Sequence, residues 1–441
     1  MDHDDSAPEQ KASLPGAVAI VIGNMIGVGV FASLGFQVAD LPSGFAILMV
    51  WLAGGVVAFC GAVCYAELVS MFPRSGGEYH LLRSAYHPFP GFLAGWVSIV
   101  AGFPAPVALA SSAFGSYFAS SMFPAANATI LAVLLVLAIT GVHLVHIAFS
   151  SRFQSVATVF KVLLLGMLIA AGFAVDQPTE IRFVPASSDE WRLLGSASFG
   201  YALMWVLYSY EGWNGAAYIA GEVRNPQRNI PLALLLGTLT VTLLYVGINA
   251  AFLYAAPIDA MVGQKEVGLV AAGHIFGEQG GRIMGGLISA GLISAVSAMT
   301  WAGPRVSASV GEDYPRLRIL AQRNKGGVPV AATLVQAALA IIVILTANFE
   351  QILMYVEVLL LLSSTATVTA VVYLRIRQPK RERPYRAFGY PLTPLLFVAV
   401  TSFALFFAFD RHGKESFAGL TVLVAGAVLY WSCRTHPKNG K

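Results

Sequence analysis

The chain has 441 residues, of which 57% are hydrophobic and 11% charged, with a formal net charge of +4. That is roughly half the charge content of a soluble domain, too little to cover a soluble surface of this size. The apolar residues recur in runs near 20 residues, about the length that crosses ~30 Å of hydrocarbon, so most of the chain faces lipid or other buried helices.

Residues 1–13 (MDHDDSAPEQKAS) read as an acidic, polar tail with no signal peptide ahead of the first apolar run. Hydropathy then places about twelve spans, near 15–35, 45–70, 89–120, 128–149, 153–175, 196–220, 231–256, 280–303, 328–348, 351–374, 389–409 and 416–433. No polar linker is long enough to separate domains, so 14–435 reads as one membrane domain, followed by a short tail, 436–441. With the first tail in the cytoplasm, 20 of the 27 Lys and Arg residues fall in cytoplasmic segments, including RIRQPKRERPYR (375–386). The positive-inside rule therefore puts both termini in the cytoplasm, and the basic runs read as topology signals rather than a nucleic-acid interface.

Two spans are interrupted by glycine. The first reads IVIGNMIGVGVF, with Gly23, Gly27 and Gly29; the sixth reads LYSYEGWNGAAYIAG, with Gly212 and Gly215 around a polar stretch. Each opens a block of five spans, and the blocks begin about 181 residues apart. Close helix packing alone accounts for many transmembrane glycines, but paired broken helices at matching places in two halves point to a transporter's midplane site. An intact helix satisfies its own backbone; an unwound turn frees N–H groups at one half-helix end and carbonyls at the other. A zwitterionic amino acid needs both, its carboxylate on the N–H groups and its ammonium on the carbonyls.

Few ionisable residues lie deep in the spans. Lys161 stands nine residues past Arg152, about 13 Å into the fifth span, too deep for simple snorkelling and a functional candidate by position. Glu211, inside the sixth-span break, can take a proton, face a substrate or cap a half-helix. Glu67 sits at a span's cytoplasmic end, where a basic loop residue is its expected partner. Glu357 is placed near the outer end of the tenth span, lining a vestibule. His143 and His146 share a helix face with no acid or cysteine beside them and read as an interfacial pair. Cys60, Cys64 and Cys433 make no disulfide framework, and the first two read as buried small hydrophobes, so neither a metal nor a cofactor is expected. No nucleotide-binding GxxxxGK[ST] loop, HExxH or GxSxG is present, so neither ATP-driven transport nor an enzyme activity has a visible residue set.

Three stretches, GNMIGVGVF (23–31), YAELVSMFPRSGGEYHLL (65–82) and YEGWNGAAYIAGEVRNPQRNIPLAL (210–234), resemble the amino acid–polyamine–organocation superfamily, within it the L-type amino acid transporters and their bacterial relatives. The resemblance covers about 15–435. It implies an all-α membrane fold of two inverted five-helix repeats plus two C-terminal helices, with helices 1 and 6 broken around the substrate. It also implies that backbone N–H groups of Gly27, Val28 and Gly29 hold a carboxylate, and that carbonyls of Met25, Tyr208 and Glu211, in the turn with Gly212, hold an ammonium. Lys161 matches the fifth-helix lysine that fills the space of a sodium ion in sodium-independent members. Its implied partners are first-helix backbone and an eighth-helix hydroxyl, from Ser294 or Ser297.

Two positions depart from the pattern: Val28 replaces a frequent Ser or Thr, and Glu211 replaces a small residue. The expected activity is sodium-independent carriage of small or neutral amino acids across a bacterial inner membrane, by exchange or with a proton, and without an accessory subunit. Glu211 keeps a cationic amino acid or polyamine antiporter open, and a non-transporting amino acid sensor is the alternative from another class.

Overall fold

The computed structural model describes residues 12–145 and 149–433. Among them, nine helical segments are long and apolar enough to cross a bilayer. Two shorter apolar helices, Ala128–Val145 and Val330–Thr346, run 18 and 17 residues; at 1.5 Å per residue that is about 26 Å, close to the hydrocarbon thickness. The twelfth segment is the sixth span, too interrupted to count as one helix. Every span expected from hydropathy has a helical counterpart within a few residues, except that the eighth is longer.

The first span is two helices, Leu14–Met25 and Gly29–Asp40. The sixth is Ala197–Tyr210, an irregular turn, then Gly215–Tyr218 and the short 3₁₀ turn Ala220–Glu222. The second (Gly44–Met71) packs most heavily on the seventh (Pro226–Ala255), and the third (Pro88–Met122) on the eighth. In each pair an element of the first five-span block meets its counterpart in the second, which is the arrangement of two intertwined repeats. The eleventh (Leu392–Arg411) and twelfth (Gly413–Cys433) spans stand outside these blocks. The eighth span is part of a continuous run, Val267–Asp313, bent at Gly277, whose φ of 73° no helix accommodates. Its first ten residues, before the bend, form a helical stretch that hydropathy alone does not separate from a loop.

Two further features were not expected. The third span contains a π turn, Ser98–Gly102, where the Phe103 N–H reaches back to the Ser98 carbonyl at 3.3 Å. Proline at 104 and 106 removes two donors just beyond it. Between the second and third spans lies an amphipathic helix, Gly77–Ala85, with Tyr79, Leu81 and Leu82 buried and Arg83 in its last turn paired to Asp313. Near the end of the N-terminal tail, Ala12 exchanges backbone hydrogen bonds with Glu222 and Arg224, at 2.8 and 2.9 Å. This fixes the chain entry beside the end of the sixth span.

Candidate functional site

The two breaks meet at the centre of the bundle. Helical geometry stops at Met25 and resumes at Gly29; in the sixth span it stops at Tyr210, where Glu211 is extended (ψ 145°). Gly212 follows at φ 97°, and a Cβ there would lie 2.8 Å from the Asn24 carbonyl carbon. Glycine is thus required twice over, by its backbone angle and by the contact between the two unwound segments.

Around them lies a cavity of about 70 Å³, room for several water-sized particles. Met25, Gly27, Val28 and Gly29 line it from the first span, and Tyr208, Glu211 and Gly212 from the sixth. All seven residues expected at a substrate site therefore share one space. The third and eighth spans complete the wall with Gly102, Phe103, Ala295 and Met299, so the π turn serves to present Gly102 and Phe103. Sequence reasoning missed these wall residues, although the run Gly102–Phe103–Pro104 carries the signal.

Chemically, the cavity joins the N-terminus of the helix Gly29–Asp40 to the C-terminus of Ala197–Tyr210. One offers N–H groups and a positive dipole end, the other carbonyls and a negative end. Two of the expected ammonium acceptors already hold one donor each. The Met25 carbonyl accepts from the Tyr245 hydroxyl at 2.6 Å, and the Tyr208 carbonyl from the Glu211 N–H at 3.0 Å. The two glycines of the first break differ. A Cβ on Gly27 would meet nothing closer than the Met25 carbonyl oxygen at 3.8 Å, whereas one on Gly29 would lie 2.4–2.7 Å from Ser209. Gly27 borders open space, and Gly29 lets the two halves approach.

Lys161 is 3% exposed, and its ammonium donates to the carbonyls of Gly23 at 3.1 Å and Ile26 at 2.8 Å. Break carbonyls without a helical donor are satisfied by a charged one, which ties the fifth span (Phe149–Phe173) to the first. The expected eighth-helix hydroxyl does not join it. Ser297 is engaged by His143 at 2.9 Å, and the buried Ser294 hydroxyl has no hydrogen-bond partner among the described residues. His143 thus turns into the bundle, while His146 lies outside the described residues.

Glu67 meets the expected loop residue and more: Arg375 at 2.6 Å, Arg383 at 3.2 Å and the Ala387 N–H at 2.7 Å all converge on its carboxylate. Glu357 corrects the sequence reading. It is fully buried and both its oxygens lack a hydrogen-bond partner among the described residues. The tenth helix begins at Phe349, so Glu357 lies about 12 Å along it and faces inward, where depth counted from sequence suggests a vestibule. Glu78, not anticipated at all, is buried beneath the sixth-span turn, accepting from Tyr65, Asn214 and Tyr218 at 2.9, 2.5 and 2.6 Å. Among the described residues no group of three or more His, Cys, Asp or Glu is placed to hold a metal ion.

Asp40 and Arg411 pair at 2.6 Å. Phe36 stacks on Trp205 at 4.3 Å, and Phe349 lies 6.1 and 6.5 Å from those two rings. Towards the side of Ala12 the cavity adjoins a constriction of about 20 Å³ at Asn24, Tyr218 and Trp301. That constriction adjoins a vestibule of about 380 Å³ bordered by Glu222, Arg305 and Arg323.

A family model described as "Amino acid permease" matches residues 13–429. The chain belongs to the amino acid permease family. The chain is 27% identical over 441 residues to the serine/threonine exchanger SteT of Bacillus subtilis (strain 168), covering 98% of this chain and 99% of that protein. It is also 27% identical over 405 residues to the b(0,+)-type amino acid transporter 1 of Mus musculus, covering 90% and 82%. With the large neutral amino acids transporter small subunit 2 of Mus musculus it shares 24% over 452 aligned positions, covering 97% and 84%. The permease is accordingly a multi-pass membrane protein, and the cavity at its two breaks is the candidate place for its cargo.

Proposed function

We propose that this permease is a sodium-independent exchanger of small or neutral amino acids, working by alternating access across a bacterial inner membrane. The observation that carries the reading is the Lys161 ammonium on the Gly23 and Ile26 carbonyls. An ammonium held on the first-helix carbonyls takes the place a bound sodium ion would need. The backbone N–H groups of Gly27, Val28 and Gly29 hold the substrate carboxylate at the dipole end of Gly29–Asp40, and carbonyls of Met25, Tyr208 and Glu211 hold its ammonium. Small cavity walls at Gly102 and Ala295 suit a short side chain. Residues 14–435 form the single transport domain, both tails are cytoplasmic, and no accessory subunit is needed; support for the sidedness is the bias of Lys and Arg along the chain.

Cationic substrates are a second reading, favoured by Glu211, whose residue lines the cavity without an ion-pair partner among the described residues. Both readings are tested by counterflow in proteoliposomes: labelled amino acids outside, unlabelled inside, with potassium replacing sodium throughout. Accumulation that needs internal amino acid and ignores the cation supports the exchanger; a strict sodium requirement overturns it.

A further inference from the structure

We propose that Glu357, paired with Glu211, is a proton-binding site set behind the amino acid cavity, so that a proton crosses with one leg of the exchange. This rests on the exchanger reading and adds a second cargo to it. Three observations carry it. First, Glu357 is fully buried and neither carboxyl oxygen has a protein partner among the described residues. An uncompensated carboxylate inside a membrane protein is expensive, so such a group is occupied by a cation or a proton. Second, no Lys, Arg or His forms an ion pair with Glu357 or Glu211 among the described residues, and the oxygens of Glu357 are sealed from the cavity, which leaves a proton as the cation small enough to reach them. Third, the two carboxyls are close enough for the charge on one to act on the other, and Tyr208 lies within the field of both. Leu360, one turn beyond Glu357 on the same face, lines the cavity together with Glu211.

The pair is asymmetric, and the asymmetry gives the proton a route. Glu211 meets the cavity and exchanges protons with its water; Glu357 holds the proton in the sealed position. Two carboxyls in one low-dielectric site keep one proton between them, and the titration belongs to the pair. When the cavity opens to one side, H⁺ passes from water to Glu211 and on to Glu357, and it returns to water by the same route when the cavity opens to the other.

Neighbouring charges leave this pair as the unpaired one. Glu78, on the helix Gly77–Ala85, also faces Glu211, but it is held by Tyr65, Asn214 and Tyr218. On the elements packed against the tenth span, Glu67 is clamped by Arg375 and Arg383, Arg83 pairs with Asp313, and Arg411 pairs with Asp40. His412 lies 3.7 Å from Glu350 and 3.9 Å from Glu415, at the far end of the tenth and twelfth spans. Tyr79 of the short helix and Tyr86 just after it bond to Asp313 and Thr369, and Lys161 is engaged by the first-helix carbonyls.

The test uses full-length permease in proteoliposomes containing a pH-sensitive dye, the twenty unlabelled amino acids inside and the labelled set outside. Expected for wild type is proton movement tied to exchange, with the exchange rate changing by up to about tenfold per pH unit, the ceiling for one bound proton. In Glu357→Gln the ratio of proton movement to amino acid exchange should fall at least about tenfold, and the pH response should flatten. Glu211→Gln is the second variant, for use if Glu357→Gln does not fold, and its proton ratio should fall likewise. Active wild-type exchange with no proton movement overturns the proton site while leaving the exchanger standing, as does an unchanged ratio in either folded variant. Absence of exchange in the wild type instead overturns the exchanger reading on which the site depends.

Discussion

Two ionisable side chains, Lys161 and Glu357, are buried inside the bundle, and they are treated oppositely by their surroundings. Lys161 has two backbone carbonyls within 3.1 Å, whereas Glu357 has no hydrogen-bond partner for either oxygen among the described residues. Burial without partners disfavours a charge, and burial among fixed dipoles supports one. On the reading proposed above, the lysine is a strut built into the first-helix break, while the acid is a movable load.

The largest effect is expected on the strut. Lys161→Ala leaves the Gly23 and Ile26 carbonyls buried without their donor, at a cost of about 1–3 kcal/mol each. Counterflow should fall by about 100-fold or more, since that sum acts on the geometry of the site itself. Lys161→Ala with near-wild-type counterflow would reduce the lysine to a bystander.

Next come the two glycines of the same break. Gly29→Val drives a side chain into Ser209, and overpacking of that kind costs about 1–3 kcal/mol, read as a lower melting temperature together with lost transport. Gly27→Val faces open cavity, so its melting temperature should stay close to wild type while substrate-induced thermal stabilisation disappears. Equal loss of stability in both variants would mean that neither glycine borders substrate.

The acid side predicts a change in preference rather than a loss. With Glu211→Gln, lysine should lose affinity relative to alanine by about tenfold, the lower end of what a hydrogen bond to a charged group contributes. Competition against a labelled neutral substrate measures this, and equal effects on both competitors would leave Glu211 to the proton role alone. The smallest effect belongs to Asp40→Asn. The Asp40–Arg411 pair is partly exposed, so its loss should change the opening rate by no more than about fivefold, the range of ~1 kcal/mol for surface pairs. A larger change would make that pair a principal lock.

Spans and breaks were legible in the sequence because each has a local cause. Apolar runs set the helices, Gly29 and Gly212 sit where a Cβ would run into the neighbouring span, and Gly27 borders the cavity. Lys161 was legible too, since depth along one helix decides whether an ammonium can snorkel. What stayed hidden depends on rotation and on distant partners. Glu357 was misplaced because counting residues gives depth but not the direction a helix faces. Ser297 looked free until His143, 154 residues away in sequence, took its hydroxyl. Glu78 and the wall at Gly102 and Phe103 lie on a short helix and a π turn, elements too brief for hydropathy to resolve. The Gly76–Gly77 pair ahead of an amphipathic stretch was the available signal for the first.

The central claim, that Lys161 stands in for a sodium ion, is tested most directly by uptake into proteoliposomes preloaded with amino acid while external sodium is replaced by potassium. The account predicts equal initial rates in the two salts for wild type, and in Lys161→Ala a rate that is low in both. A wild-type rate that collapses without sodium would contradict it.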